Sequence, residues 1–397
     1  MSEQSTGTTA VGGPSSATRD LLASLVAMDT TSRHSNLGLI AFVEELFDAH
    51  DIPHSRVPNV DGTKANLLAQ IGPPVPGGVV LSAHTDCVPV DDQPWSRDPF
   101  AVTEVDGRLY GRGVADMKGF IAAALGMVPA MAAAPLTRPI QFALTFDEEL
   151  GTLGAPSAVE GLLATYPRPE VALIGEPTGM EVATAHKGLR NYRVTVTGRD
   201  AHSSQPHRAA NAIAALVRIG TYIDDLARQH RDAAADPRFD PPYTTFNLGT
   251  ISGGQAMNIV ARHAELAFEY RPVPADDDVH IAEDIERFAE QEVRPALRQD
   301  TDAGEIVFDL LAVVRSLRPE ADGPAEALAR TLSHYRGPFR AVSFGTDAGH
   351  FQAAGLSSVV IGPGDISQAH QPDEWIETGQ LAACEGFLER LIDHLSG

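Results

Sequence analysis

The sequence predicts an α/β chain built on a mainly parallel sheet, with a second, α+β domain inserted into it. Three observations lead there. Short apolar runs alternate with helical patterns toward both ends of the chain, as strands joined through helices and covered on both faces do. Over residues 186–312 the texture changes to strictly alternating strands and two long amphipathic helices. Histidines and carboxylates, finally, collect where the predicted strands of the first domain end, the place where open α/β sheets put their sites.

The elements follow in order. The first 17 residues, "MSEQSTGTTAVGGPSSA", are small and polar, without a basic start or an apolar run, so a flexible tail is expected and not a signal peptide. "SATRDLLASLVAMDT" (16–30) opens on cap-type residues and carries apolar positions at helical spacing, and "LGLIAFVEELFDAHD" (37–51) repeats the pattern. Two helices are expected. "ANLLAQIG" (65–72), "GGVVLSAHTD" (77–86), "PIQFALTFDEE" (139–149) and "EVALIGEPT" (170–178) read as buried strands. Between the second and third lies "GFIAAALGMVPAMAAAPLT" (119–137), uncharged and of membrane-span length, but Ala-rich and interrupted by Pro129 and Pro135. A buried helix is expected there, not a membrane span.

In the inserted stretch, "GLRNYRVTVTG" (188–198) alternates strictly and "HRAANAIAALVRIGTYIDDLARQH" (207–230) is a long amphipathic helix. "TTFNLGTISGG" (244–254) and "AELAFEYRPV" (264–273) are alternating strands, "DVHIAEDIERFAEQEVRPALRQ" (278–299) a helix, and "EIVFDLLAVV" (305–314) a last strand. The order β-α-β-β-α-β is that of a ferredoxin-like module. The α/β texture then returns with "FRAVSFG" (339–345), "SSVVIGPG" (357–364) and a final amphipathic helix ending near Leu395. The expected division is a tail of 1–17, one domain of 18–185 with 313–397, and an insert of 186–312.

With 397 residues, 43% hydrophobic and 21% charged, the chain can bury two cores. A net charge of −23 repels nucleic-acid phosphates and anionic lipid, and no Lys/Arg cluster offsets it, so neither nucleic acid nor membrane is expected as a partner. Cys87 and Cys384 lie far apart without CxxC spacing, which excludes a disulfide framework and a zinc finger and suits the cytoplasm. There is no HExxH, GxSxG or Walker A, and "GRGVADMKG" lacks the third glycine of a dinucleotide fingerprint. Zincin, serine hydrolase and nucleotide enzyme are thereby disfavoured.

What remains is a ligand set. "LSAHTDCV" ends a strand with His84 and Asp86, two residues apart and so on one face, where Asp86 can steady an imidazole that ligates a metal. "YGRGVADMKG" puts Asp116 in a glycine-rich loop, Glu148 and Glu149 end the next strand, Glu176 ends another, and "SQAHQPDEWI" supplies His370. Each residue alone has a structural reading, as a core histidine, a cap or a solvated strand end. Together they form a mixed N and O donor set for two divalent ions, suiting zinc first and cobalt or manganese next.

"SAHTDCVP", "GRGVADMKG", "FDEELGTLGA", "GEPT", "AHKG", "DAHSSQP" and "QAHQPDE" together resemble the M20 family of metallopeptidases and amidohydrolases, nearest its acetylornithine deacetylase branch. The resemblance runs from about residue 18 to the C-terminus. It implies a zinc-peptidase-like catalytic domain whose Asp116 bridges two metals, with His84 and Glu176 completing one and Glu149 and His370 the other. Glu148 is then the general base, Asp86 the partner of His84, and the Asp116–Met117 peptide is cis. The insert resembles the family's dimerisation domain, also a lid. His202 in "DAHSSQP" and Asn258 in "GGQAMNIV" match positions that reach a neighbouring active site, and Arg271 in "FEYRPVP" one that binds the substrate carboxylate. Thr346 in "FGTDAGHF" falls in a substrate-side segment, and Asp347 stands where the deacetylases usually have Glu.

The implied activity is hydrolysis of an N-acyl amino acid, nearest N2-acetyl-L-ornithine to L-ornithine and acetate in arginine biosynthesis, by a cytoplasmic homodimer joined through the insert. The resemblance leaves open a succinyl-diaminopimelate desuccinylase, another M20 aminoacylase or dipeptidase, and a non-catalytic metal-binding relative. A two-metal phosphoesterase is disfavoured, because no basic cluster stands near the ligands to hold phosphate. Asp147 is left unexplained, with a supporting role expected.

Overall fold

A computed structural model describes residues 13–233, 236–338 and 340–397. Residues 1–12 of the expected tail lie outside that range, and its end is corrected: a helix already begins at Ser16, because the Ser15 side chain accepts the N–H of Thr18 and caps the first turn.

The chain runs through α1 (Ser16–Val26), α2 (Leu37–Asp48), β1 (His54–Pro58), β2 (Ala65–Ile71), β3 (Val79–His84), β4 (Thr103–Val105) and β5 (Arg108–Tyr110). It continues through α3 (Lys118–Gly126), α4 (Val128–Ala133), β6 (Ile140–Thr145), α5 (Ala155–Thr165), β7 (Val171–Ile174) and β8 (Ala183–His186). The Ala-rich stretch is thus two helices that break at Met127. Pro129 sits in the first turn of the second, where a missing N–H leaves no helical bond unmade. Among the described residues no helix is long and apolar enough to cross a membrane.

The second stretch supplies β9 (Leu189–Thr197), α6 (Ala212–Ala233), β10 (Thr245–Gly253), β11 (His263–Arg271), α7 (Asp278–Phe288), α8 (Arg294–Leu297) and β12 (Glu305–Val314). Its sheet has the order β10-β11-β9-β12, antiparallel throughout. Val194, Val196, Leu266 and Phe268 of the strands bury against Leu216, Ile219 and Ile285 of the helices. The Asp277 side chain caps α7 by accepting from Val279 and His280.

The last part is α9 (Pro324–Ser333), β13 (Arg340–Val342), α10 (Ala348–Ala353), β14 (Ser357–Val360), β15 (Trp375–Glu377) and α11 (Thr378–Leu395). The large sheet runs β1-β2-β6-β3-β7-β14-β8-β13. Its centre, β6, β3, β7 and β14, is parallel, whereas β2 joins β6 antiparallel and β1 joins β2 antiparallel. Every residue of β2, β3, β6 and β7 is buried, as strands covered on both faces must be. β4, β5 and β15 form a small separate sheet that the apolar patterning did not predict.

Two compact units result. One holds the residues up to 184 together with 319–340 and 346–397, the other 185–318 with 341–345. The second unit reaches beyond 186–312 because His186 and Leu317 exchange backbone hydrogen bonds at 3.3 and 3.2 Å where its chain ends meet.

Candidate metal centre

β6, β3 and β7 are parallel neighbours in that order, so their C-terminal ends lie side by side, with His84 opposite Thr145 and Ser82 opposite Ile174. The residues just past those ends converge for that reason. Nε2 of His84 lies 2.9 Å from Oδ1 of Asp116 and 3.7 Å from Oε1 of Glu176. Nε2 of His370 lies 3.1 Å from Oδ2 of Asp116 and 3.1 Å from Oε2 of Glu149. Asp116 therefore turns one oxygen to each imidazole. The Asp116–Met117 peptide is cis, as the resemblance implies.

Ligand-type atoms of His84, Asp116 and Glu149 lie within 4.8 Å of one another, and so do those of His84, Glu148 and Glu176. Two imidazoles cannot neutralise the carboxylates gathered here. Burial raises Glu148 and Glu176 well above the usual range, with Glu149 adding to the first and Asp116 to the second, while His84 acts against both. Burial and then Asp116 also raise Glu149. Burial disfavours a charged His84 as well, but the hydrogen-bonded Asp116 and Asp86 outweigh it and raise the ring well above its ordinary value. Asp116 and Glu149 push His370 up to about 10. Asp116 stays depressed despite its burial, held down by both rings. Buried carboxylates with two imidazoles, short of positive charge, fit divalent cations with N and O donors.

Asp86 differs in detail from its expected role. Its backbone carbonyl takes the Nδ1 of His84 at 2.9 Å, while its carboxylate stands 3.6 Å from that nitrogen. The carboxylate accepts from Ser32 Oγ at 2.7 Å and from the amides of Glu148 and Glu149 at 3.1 and 3.3 Å. Asp147, which the sequence left unexplained, sits at φ 52 and pairs with Lys64, whose Nζ also donates to the Ser32 carbonyl.

Thr346 lies just before α10. It is fully buried, and its Oγ1 accepts from the amide of Ala348 at 3.1 Å. Neighbouring Asp347 is also buried, bonded through Oδ2 to Thr145 Oγ1 at 2.8 Å, and burial pushes it up to about 6.

The remaining candidates belong to the second unit. The amide of Ser203 donates to the carbonyl of Asn258 at 3.0 Å and that of Val260 to Ala201 at 2.9 Å, so the loops carrying His202 and Asn258 are laced together. Both residues are exposed, with His202 Nδ1 2.8 Å from Ser204 Oγ. Arg271 ends β11 and donates through Nε to Glu269 at 3.1 Å.

Arg112 and Glu374 are the residues that sequence reasoning missed. They form a fully buried ion pair at 2.8 Å, directly beside the Asp116 loop. Both stand inside the quoted stretches "GRGVADMKG" and "QAHQPDE", where Asp116, Lys118 and Asp373 are also charged, so no local signal singled them out.

Residues 80–394 match the family described as peptidase family M20/M25/M40. The chain is 36% identical over 387 residues to an acetylornithine deacetylase of Myxococcus xanthus, covering 96% of this chain and 98% of that one. It is 34% identical over 379 residues to an acetylornithine deacetylase of Pectobacterium atrosepticum, covering 94% of each. Among solved structures, an M20 family metallo-carboxypeptidase from Sulfolobus solfataricus superposes with a TM-score of 0.72 at 18% identity, over 96% of this chain and 99% of that one. A dinuclear metal-binding M20 peptidase from Bacillus subtilis gives 0.65 at 15%, over 95% and 97%. By sequence, fold and the ligand cluster at the ends of its parallel strands, the chain belongs to peptidase family M20/M25/M40 and is a metal-dependent hydrolase.

Proposed function

We propose that this hydrolase removes the acetyl group from N2-acetyl-L-ornithine, giving L-ornithine and acetate, in the cytoplasm and in the service of arginine biosynthesis. The relatives named acetylornithine deacetylase, matched over nearly the whole chain, support the substrate. The observation that carries the reaction type is Asp116, shared between His84 and His370 with Glu148 close by. Cys87 and Cys384, both free and buried, suit a reducing compartment.

His84, Glu176 and Asp116 would hold one divalent ion, and His370, Glu149 and Asp116 a second, with zinc first and cobalt or manganese next. When bound, the ions supply Lewis acidity at the acyl carbonyl and a more acidic water. Glu148 takes the proton of the attacking water on a carboxylate oxygen and passes it to the amine nitrogen as the C–N bond breaks. Asp86, through the amides of Glu148 and Glu149, sets where that carboxylate starts. Arg271 holds the substrate α-carboxylate with paired N–H groups. His202, from a second copy of the chain, donates to the developing oxyanion, and Asn258 beside it contacts the substrate.

The second copy is part of the proposal. β10 is an edge strand, and its Ile251 (63% exposed) and Leu248 (43%) stand near Val217 of α6 (52%), an apolar strip of the kind that edges leave for a partner. A homodimer joined through the second unit would cover it.

The test is a substrate panel with zinc-loaded protein: N2-acetyl-L-ornithine, N-succinyl-diaminopimelate, other N-acyl amino acids and dipeptides. The highest kcat/KM is expected for acetylornithine. A higher value for succinyl-diaminopimelate or a dipeptide would move the chain to another branch of the family.

A further inference from the structure

Glu374 is 1% exposed, and its two oxygens are filled from a single loop. Oε2 accepts from Arg112 Nη1 at 2.8 Å and from the amide of Gly113 at 2.9 Å. Oε1 accepts from the amides of Ala115 at 2.9 Å and Asp116 at 3.1 Å. Arg112 sends its Nη2 to Gln93 Oε1 at 2.6 Å, and Gln93 Nε2 donates to the backbone carbonyl of His370 at 3.1 Å. The network thus begins on the amide of one ligand-type residue and ends on the carbonyl of another.

Of the five proposed protein ligands, four show that the two sides are not held alike. His84 ends β3 and Glu176 follows β7 by two residues, so the parallel sheet fixes both. Asp116 and His370 sit in loops, and His370 has a left-handed backbone (φ 61) and a side chain 51% exposed. Nothing regular fixes these two against each other. A buried ion pair contributes little net stability over an apolar pair of similar shape, so stability alone gives weak reason for one here. Orientation gives a better reason, since a carboxylate saturated by four donors admits one arrangement of the loop that supplies them.

We propose that Gln93, Arg112 and Glu374 are positioning residues that set Asp116 against His370 and thereby govern the ion on the Asp116, Glu149 and His370 side. The proposal rests on the ligand assignment given above. It needs a readout that a purely structural role would not move, and the metal itself is that readout.

The experiment compares wild type with Gln93→Leu, Glu374→Gln and His370→Ala. Metal-free proteins are titrated with zinc by calorimetry, loaded with cobalt for absorption spectra, melted, and assayed for kcat and KM. Gln93→Leu cuts the strap at its half-exposed end and leaves the ion pair in place. It is expected to melt near wild type when metal-free, to bind one of two ions about tenfold or more weakly, and to alter the cobalt spectrum. Its kcat falls with KM little changed, and excess metal restores it. Glu374→Gln is expected to do the same more strongly, and if it does not fold, Gln93→Leu decides. Wild-type affinity for both ions together with an unchanged cobalt spectrum in Gln93→Leu overturns the positioning role. His370→Ala tests the foundation separately: it should lose one ion, and retention of both removes the ligand assignment.

Discussion

Oδ1 of Asp86 accepts the backbone N–H of Glu148 at 3.1 Å, across 62 residues of chain. The same carboxylate takes the N–H of Glu149 and the hydroxyl of Ser32, while the backbone of Asp86 steadies His84. One residue therefore aligns both the strand-end histidine and the turn that carries Glu148 and Glu149.

Asp86→Asn tests this. An amide in place of the carboxylate turns one acceptor into a donor that faces an N–H, which costs about 1–3 kcal/mol per buried group left unmatched. The melting temperature is expected to drop, and kcat to fall more than tenfold as Glu148 shifts. A variant that keeps kcat within twofold would show that the amide contacts do not matter.

Glu148 and Glu149 are adjacent but should fail differently. Glu148→Gln is expected to lower kcat by about 10²–10⁴ while binding as much metal as wild type. Glu149→Gln should lose metal. Elemental analysis beside the kinetics separates them, and metal loss in Glu148→Gln would make that residue a ligand, an arrangement its proximity to His84 and Glu176 permits.

Metal uptake should release protons. In the metal-free protein Asp116 and Glu149 push His370 up to about 10, so the ring is protonated at neutral pH, whereas ligation needs its lone pair. Affinity for zinc is expected to rise with pH toward that value. Calorimetry in buffers of different ionisation enthalpy measures the protons, and a heat independent of buffer contradicts the assignment. The sign for stability follows from the same shift. A histidine raised by folding stabilises the metal-free protein fully below its unfolded value of about 6.5, and the contribution disappears as pH rises through about 10. Chelator-treated protein should therefore melt lower at alkaline pH than at pH 6.

Gly175, just before Glu176, allows the β7 end to approach the ring of Phe120. A Cβ there would lie 2.1 Å from Cγ of that ring. Gly175→Ala is expected to destabilise by about 1–3 kcal/mol and to weaken metal binding by moving Glu176. Adding Phe120→Leu should recover part of both losses. Thermal melts and zinc titration of the single and double variants check it.

Ile251→Lys and Val217→Glu place charges in the exposed apolar strip of the second unit. Light scattering is expected to report a dimer for wild type and monomers for the variants, and kcat should fall in parallel if His202 acts across the proposed dimer. A wild-type monomer would remove the second copy from the mechanism.

The sequence by itself determined the elements and the chemistry available. Period and length gave the buried strands, though their ends fall at His84, Thr145 and Ile174, short of the apolar runs' quoted limits, and also the β-α-β-β-α-β order of the insert and the residue types able to bind metal, because these are local properties of side chains along an extended or helical backbone. Tertiary structure decided which of those groups meet. It put β2 antiparallel beside β6, gave Asp147 to Lys64, turned the Asp86 carboxylate to the Glu148 and Glu149 amides, and buried Thr346 with its hydroxyl oxygen on the Ala348 amide. It also joined Glu374 to the amide of Asp116, 258 residues away. A hydrogen bond between loops that far apart leaves no periodic trace in either one, since its geometry exists only once the strands that carry the loops are side by side.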